Sequence, residues 1–480
     1  MVEKRIQNTA IDISPNENLE VEGVGEEIQL REPENTTKEV EVIQEEDGGV
    51  TLDYDPNQKQ SEGDYFANLA EFMSDDLLQK LSSDLQKNFE DDKNSRSDWE
   101  KTYKDGLDLL GFKYEERSKP FAGAAGVTHP LLAEAVTQFQ AQAYKELLPP
   151  GGPVRTEILG APTMETEQQA ERVKGFMNYQ ITTEMQEFDP ELDQMLFHLP
   201  LAGSAFKKVY YDSNLERAVS KFVPAEDLVV PYFITDLESC NRITHVVKMK
   251  HNDLRKNQVS GFYRDVDVSG GSVNTDEIKD KQDELSGVEQ VNFAEDEHNI
   301  LEMHVDLDLP GFEDMGANNQ KTGIMVPYIV TIDEDSGEVL SIYRNWNQGD
   351  PIRKKKEYFT HFKFLPGLGF YGFGLIHMLG GLSRTATAAL RQLVDAGTLS
   401  NLPAGFKARG LRIRDDDEAI SPGEWRDVDA PGGNLRESLM PLPYKEPSAT
   451  LFSLLGFVVD AGRRFAGVAD MMMGENAGSQ

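Results

Sequence analysis

Cysteine is nearly absent. Cys240 is the only one in 480 residues, so no internal disulfide can form, and the composition suits a reducing compartment. Long apolar runs are missing too. The longest, Leu451 to Val459, is interrupted by Ser453 and stops at Asp460, far short of the roughly 20 residues a membrane helix needs; no membrane span is expected. Met1 leads into Glu3, Lys4 and Arg5 with no apolar stretch behind them, so no signal peptide is expected either. Histidine is sparse and scattered; His298 and His304 come closest, without the H-E-x-x-H or Cys-pair company of a zinc site. A Walker A lysine motif and a G-x-S-x-G elbow are both lacking. Positive charge is scarce, with 48 Lys and Arg against 84 Asp and Glu and a net charge of −36. A protein that grips DNA by neutralising phosphates carries a basic face, so this chain cannot do so unless its cations are gathered locally.

What is present suits a globular protein with additional solvated segments: 39% apolar and 28% charged residues. The length allows two to four domains at about 150 residues each. Residues 1–64 hold 18 acidic and 5 basic residues and one aromatic, Tyr54; such a segment buries too little to offset its ordering entropy, and a disordered acidic tail is expected. From Tyr65 onward apolar residues recur at three-to-four spacing. Leu77, Leu81 and Leu85 follow a plausible N-cap at Ser74, and Trp99, Tyr103, Leu107 and Leu110 continue the pattern to Gly111. Helices are predicted over 131–148, 165–185 and 190–199, and strands over 206–211, 220–223 and 243–250. Residues 261–320 are acidic, glycine-rich and expected to be mobile, apart from a strand over 300–307. A hairpin pairs 326–332 with 338–343. Long helices are predicted over 375–399 and 448–470, flanking a Gly- and Pro-rich stretch, 404–446, that reads as short strands.

Chemistry-bearing patterns are weak. Gly367-Leu-Gly-Phe-Tyr-Gly372 matches G-x-G-x-x-G, yet no second strand ending in an acid follows about 20 residues on; a hinge into the next helix explains it. Asp333 to Glu338 looks like a calcium loop, but Arg344 stands where a bidentate Glu belongs. No carboxylate pair sits in an apolar setting that would tune it for catalysis. The sequence makes no case for an enzyme, a metal or a cofactor. Charge placement is more informative. Between 361 and 414 the cations Lys363, Arg384, Arg391, Lys407, Arg409, Arg412 and Arg414 face a single acid, Asp395, and Asp415, Asp416, Asp417 and Glu418 then reverse the sign.

In this region the chain resembles a known family. Gly372-Phe-Gly-Leu-Ile-His-Met-Leu-Gly-Gly-Leu-Ser-Arg-Thr-Ala386 and Leu390-Arg-Gln-Leu-Val-Asp-Ala-Gly-Thr-Leu-Ser-Asn-Leu-Pro403 are similar to the first stem helix of the podovirus-type portal proteins of tailed bacteriophages. Asn401-Leu-Pro-Ala-Gly-Phe-Lys407 resembles that family's passage from stem to clip. Ser421-Pro-Gly-Glu-Trp425 and Asp429-Ala-Pro-Gly-Gly433 look like clip turns, and Pro441-Leu-Pro-Tyr-Lys-Glu-Pro447 like the lead into the second stem helix. Phe121 to Pro130 and Glu146-Leu-Leu-Pro-Pro150 are similar to the wing.

The resemblance implies an α+β, mainly helical portal fold with an α/β wing over 65–371, a first stem helix over 372–403, a small β-containing clip over 404–446 and a second stem helix over 447–470. Residues 471–480 are expected to open a tunnel-loop and crown region that this sequence does not go on to complete. It further implies a homo-oligomeric ring, commonly of twelve subunits, at one vertex of the virion, assembled in the host cytoplasm. Double-stranded DNA passes through without sequence specificity. The large terminase subunit and then a head–tail adaptor dock on the clip, beside capsid and scaffolding proteins. By position, Arg384, Arg391, Lys407 and Arg409 are the channel- or DNA-facing candidates. Arg412, Arg414, Asp415, Asp416, Asp417, Glu418, Glu424, Trp425 and Arg426 are the candidates for docking terminase and adaptor. The alternative is a head–tail adaptor or another minor capsid protein.

Overall fold

The computed structural model describes residues 65–401 apart from 213–214, 269–276, 289–296 and 316–319, residues 445–474, and six short strands outside those ranges. Two of the six, β1 (Glu41–Gln44) and β2 (Val50–Asp53), pair antiparallel. The rest of the acidic 1–64 segment lies outside the described residues.

Helices come first. Ser74 takes the N-cap position of α1 (Asp75–Ser95), and Asp75 and Asp76 put negative charge at the positive end of the helix dipole. After Arg96, α2 (Ser97–Leu107) runs into a short 3-10 turn that Gly111 ends in the left-handed region, at φ 73°. Then come α3 (Leu131–Leu147), α4 (Met164–Tyr179), which continues through a π-helical turn over Gln180–Glu184, and α5 (Phe188–Ala202). The strands that follow are β3 (Ser204–Asp212), β4 (Arg217–Pro224), β5 (Leu228–Val229), β6 (Arg242–Lys250), β7 (Glu297–Leu307), β8 (Val326–Asp333), β9 (Val339–Arg344) and β10 (Phe359–Lys363).

These eight strands make two antiparallel sheets, one ordered β10-β3-β4 and the other β5-β6-β7-β8-β9. The fold is therefore α+β. One face of the larger sheet, with Leu301, Met303, Val330, Ile332 and Ile342, packs on Leu78, Leu85 and Phe89 of α1, the face that the apolar spacing of that helix creates. Where α1 gives way to α2, the Arg96 guanidinium is buried between the elements. It donates to the carbonyls of Ala225 (3.0 Å), Glu226 and Leu228 (2.8 Å) and to the Tyr371 hydroxyl (2.9 Å), while Glu100 pairs with its Nε at 2.8 Å.

Two helices escaped the sequence reading. α6 (His251–Val259) follows β6 directly, and α7 (Glu277–Ser286) lies within the stretch expected to be mobile. Only Ile278 of α7 is buried, joining Tyr103, Leu107 and Leu375. The helix is held mainly by ion pairs, Lys279 with Asp227 at 2.6 Å, Lys281 with Asp108 at 2.7 Å and Lys113 with Glu284 at 2.9 Å. Two apolar residues seven apart, Ile278 and the half-buried Leu285, leave too little periodicity to read, which is why the helix was missed.

The glycine-rich turn before the last helices is a packed crossing rather than a free hinge. Phe370 is buried 4.6 Å from the His361 ring, Gly372 donates its N–H to Ser204 Oγ at 2.8 Å, and a Cβ on Gly372 would meet the Gly203 carbonyl oxygen at 2.3 Å. Glycine is needed there because two backbones touch, with no room for a phosphate. The chain then forms α8 (Leu375–Asn401). Four short strands follow: β11 (Gly405–Lys407), β12 (Arg412–Ile413), β13 (Val428–Asp429) and β14 (Leu439–Pro441). β11 pairs with β14 and β12 with β13. Last comes α9 (Ala449–Gly474), which runs four residues past its expected end at 470. Among the described residues no helix is long and apolar enough to cross a membrane.

Candidate functional site

α8 and α9 pack through Ala386, Ala389, Leu455 and Val458, with Leu382, Leu390, Leu393 and Leu451 around them. The opposite side of α8 forms one wall of a cleft of about 600 Å³; the loop between Gly111 and Leu131 forms the other. Arg384, Thr387, Ala388, Arg391, Gln392, Asp395 and Leu399 come from the helix; Glu115, Arg117, Pro120, Phe121 and Thr128 come from the loop.

Three helix side chains spaced four residues apart stitch that loop down. Thr387 Oγ1 accepts from the His129 N–H at 3.1 Å. Arg391 donates from Nε to the Val127 carbonyl at 2.7 Å and from Nη2 to Thr128 Oγ1 at 3.2 Å, and its Nη2 pairs with Glu115 Oε2 at 3.0 Å. Asp395, the one acid of the basic stretch, accepts from the Ala125 N–H at 2.7 Å and lies 3.9 Å from Arg117, which itself donates to the Ala125 carbonyl at 3.1 Å. Within the loop, Gly126 has no alternative, because a Cβ there would sit 1.6 Å from the Glu115 carbonyl oxygen. Charge-assisted hydrogen bonds of this kind contribute about 1.5–3 kcal/mol each.

The two arginines read as channel-facing therefore differ. Arg391 is half-buried and committed to its own chain. Arg384, which also lines the cleft, is exposed, and among the described residues its ion-pair neighbour is Asp105 at 4.0 Å. Lys407 belongs to β11 and Arg412 to β12. Arg409, Arg414, Asp415, Asp416, Asp417, Glu418, Glu424, Trp425 and Arg426 lie outside the described residues. The sequence did not point to Thr387 or Asp395 as loop anchors, although an isolated acid four residues from an arginine in a basic helix was the available signal.

Elsewhere, titratable side chains meet one another inside the body. His251 Nδ1 lies 3.0 Å from His298 Nε2, and His298 Nδ1 lies 3.3 Å from Asp333 Oδ1. The nearby Ser336 hydroxyl donates to the carboxylate of Asp333 at 2.6 Å rather than to an imidazole, so it lacks the base a nucleophile needs. Between the sheets, burial alone would raise the Glu302 carboxyl, but Lys208, with its ammonium at 2.6 and 2.7 Å, and His304 hold it well below the usual range. Among the described residues no group of three or more His, Cys, Asp or Glu is placed to hold a metal ion. No family model matches this sequence, and no curated protein matches it.

Proposed function

We propose that this chain is the ring subunit of a tailed-phage portal, a channel for double-stranded DNA at one capsid vertex. The observation that carries the reading is the plan of the last quarter of the molecule. Two long helices pack against each other, α8 and α9, and the segment joining them is closed at its base by β11 against β14 and carries a second small pair, β12 with β13. A helical hairpin tipped by a small β element has the plan of a portal stem and clip.

In this reading the helix pairs of neighbouring copies line the channel, and the 404–446 segment is offered to the large terminase and later to the head–tail adaptor. Capsid and scaffolding proteins meet the outer body. No catalytic group or cofactor is required, since transport needs a conduit rather than a reaction. Sparse cations on an acidic protein suit a moving duplex, because dense phosphate neutralisation would hold it in place.

Mass photometry and negative-stain imaging of the purified full chain test the reading. Closed rings of about a dozen copies around an axial hole are expected, as a heterologous interface that closes would give. A chain that stays monomeric at high micromolar concentration, with and without double-stranded DNA, sinks it.

A further inference from the structure

The two sides of α9 differ. Leu451, Leu455, Val458 and Gly462 face α8 and α3. On the opposite side, at i, i+4, i+7 and i+11, stand Ser453, Phe457, Asp460 and Arg464. Phe457, on this side, is 72% exposed; Phe452, about 140° round the helix from it, is 69% exposed, and an exposed aromatic set among charges marks a contact surface. Asp460 and Arg464 form no ion pair among the described residues.

α8 has the complementary arrangement. One side meets α9; the other opens into the cleft, whose lining includes small Ala388 and the exposed Arg384. The helices run antiparallel: Gly397 lies beside Pro447, and Ala466 packs in the cluster that holds Leu379. From the Gly397–Pro447 level, Arg384 lies thirteen residues along α8 and Asp460 thirteen along the chain, the first of them ahead of α9, so at about 1.5 Å per helical residue the two lie within about one helical turn of the same level. By the same count Phe457 is level with Thr387 and Ala388, and Arg464 with Gly380, which abuts Leu109 and so lies near Asp108. A rotation about an axis parallel to the helix pair preserves these levels. It would bring the outer side of one α9 to the cleft side of the next α8, opposite charge to opposite charge.

We propose that the cleft beside α8 is the socket for a second copy of this chain, with Phe457 entering at Ala388, Asp460 meeting Arg384 and Arg464 meeting Asp108. The proposal rests on the ring reading and makes it specific. The two contact faces lie on opposite sides of the helix pair, so the contact is head-to-tail and propagates until it closes. It also places Arg384 between subunits, not in the channel, while Arg391 sets the cleft wall.

Mass photometry of the full chain, titrated in concentration, tests the pairing. Asp460→Arg and Arg384→Asp each place like charges across the contact, and each should raise the concentration needed for half-assembly by roughly ten-fold or more. The double variant Arg384→Asp/Asp460→Arg restores opposite charges and should assemble like wild type. Both positions are exposed in the single chain, and an unchanged circular-dichroism melt confirms that each variant folds. Single variants that assemble normally, or a double variant that fails to recover while wild type forms rings, overturn this interface and leave the ring reading standing. A wild-type chain that never assembles overturns both.

Discussion

In the five-stranded sheet, Leu301, Met303, Val330, Ile332 and Ile342 are fully covered by the chain itself, whereas on α9 Phe452 and Phe457 remain 69% and 72% exposed. The polar groups follow the same division. Arg96 in the body finds three carbonyls, a hydroxyl and a carboxylate; Asp460 and Arg464 on α9 pair with nothing among the described residues. The body thus encloses its own apolar core and gives the buried Arg96 cation a full set of partners. α9, by contrast, is covered on one side, and its other side combines an exposed aromatic, Phe457, with charge, the composition of a contact surface rather than of a core.

Breaking the body should cost most. Arg96→Ala removes the cation that three buried carbonyls and Glu100 rely on, and a loss of roughly 3–5 kcal/mol is expected from the urea midpoint; a loss below about 1 kcal/mol would show that water replaces the guanidinium. The helix pair provides the sharper contrast. At a concentration where the chain is monomeric, Leu455→Ala should cost about 2–4 kcal/mol and Phe457→Ala no more than about 0.5 kcal/mol. Equal costs at the two positions would remove the distinction between an inner and an outer side.

The smallest effect at neutral pH, growing in acid, comes from the buried histidines of the body and from His377 on α8, which burial also lowers. Burial lowers His245 and His361 to about 3 and His198 to about 4. Each is neutral when folded, while the unfolded chain takes up protons below about pH 6.5. The unfolded state then binds more protons, so stability falls as pH drops from about 6.5 toward 4. His245→Asn should flatten that slope in pH-dependent urea titrations; an unchanged slope would mean that His245 does not contribute to it.

Legibility followed the number of apolar anchors. α3, α8 and α9 each repeat them several times, and their ranges could be read to within a few residues; in α1 the start was legible at Ser74 but the break at Arg96 was not. α7 has one buried anchor and was invisible. In the cleft, the basic surplus of α8 was plain from the sequence, but it was read as free charge, because nothing local reveals that residues 111–131 return to lie against Thr387, Arg391 and Asp395.

The sequence by itself determined the two long helices of the last quarter with a β-containing segment between them and an acidic chain with one basic stretch, since local periodicity and composition carry these, while the α+β class came with the family resemblance. Tertiary structure decided which cations are spent. Arg391 is consumed by a loop more than 250 residues away in sequence, Arg384 is left exposed beside a cleft, and α9 leaves Phe457 on the face it shows to water. The reason is that a stripe on a helix records where apolar groups lie, and only the arrangement of the other elements settles which stripe is covered.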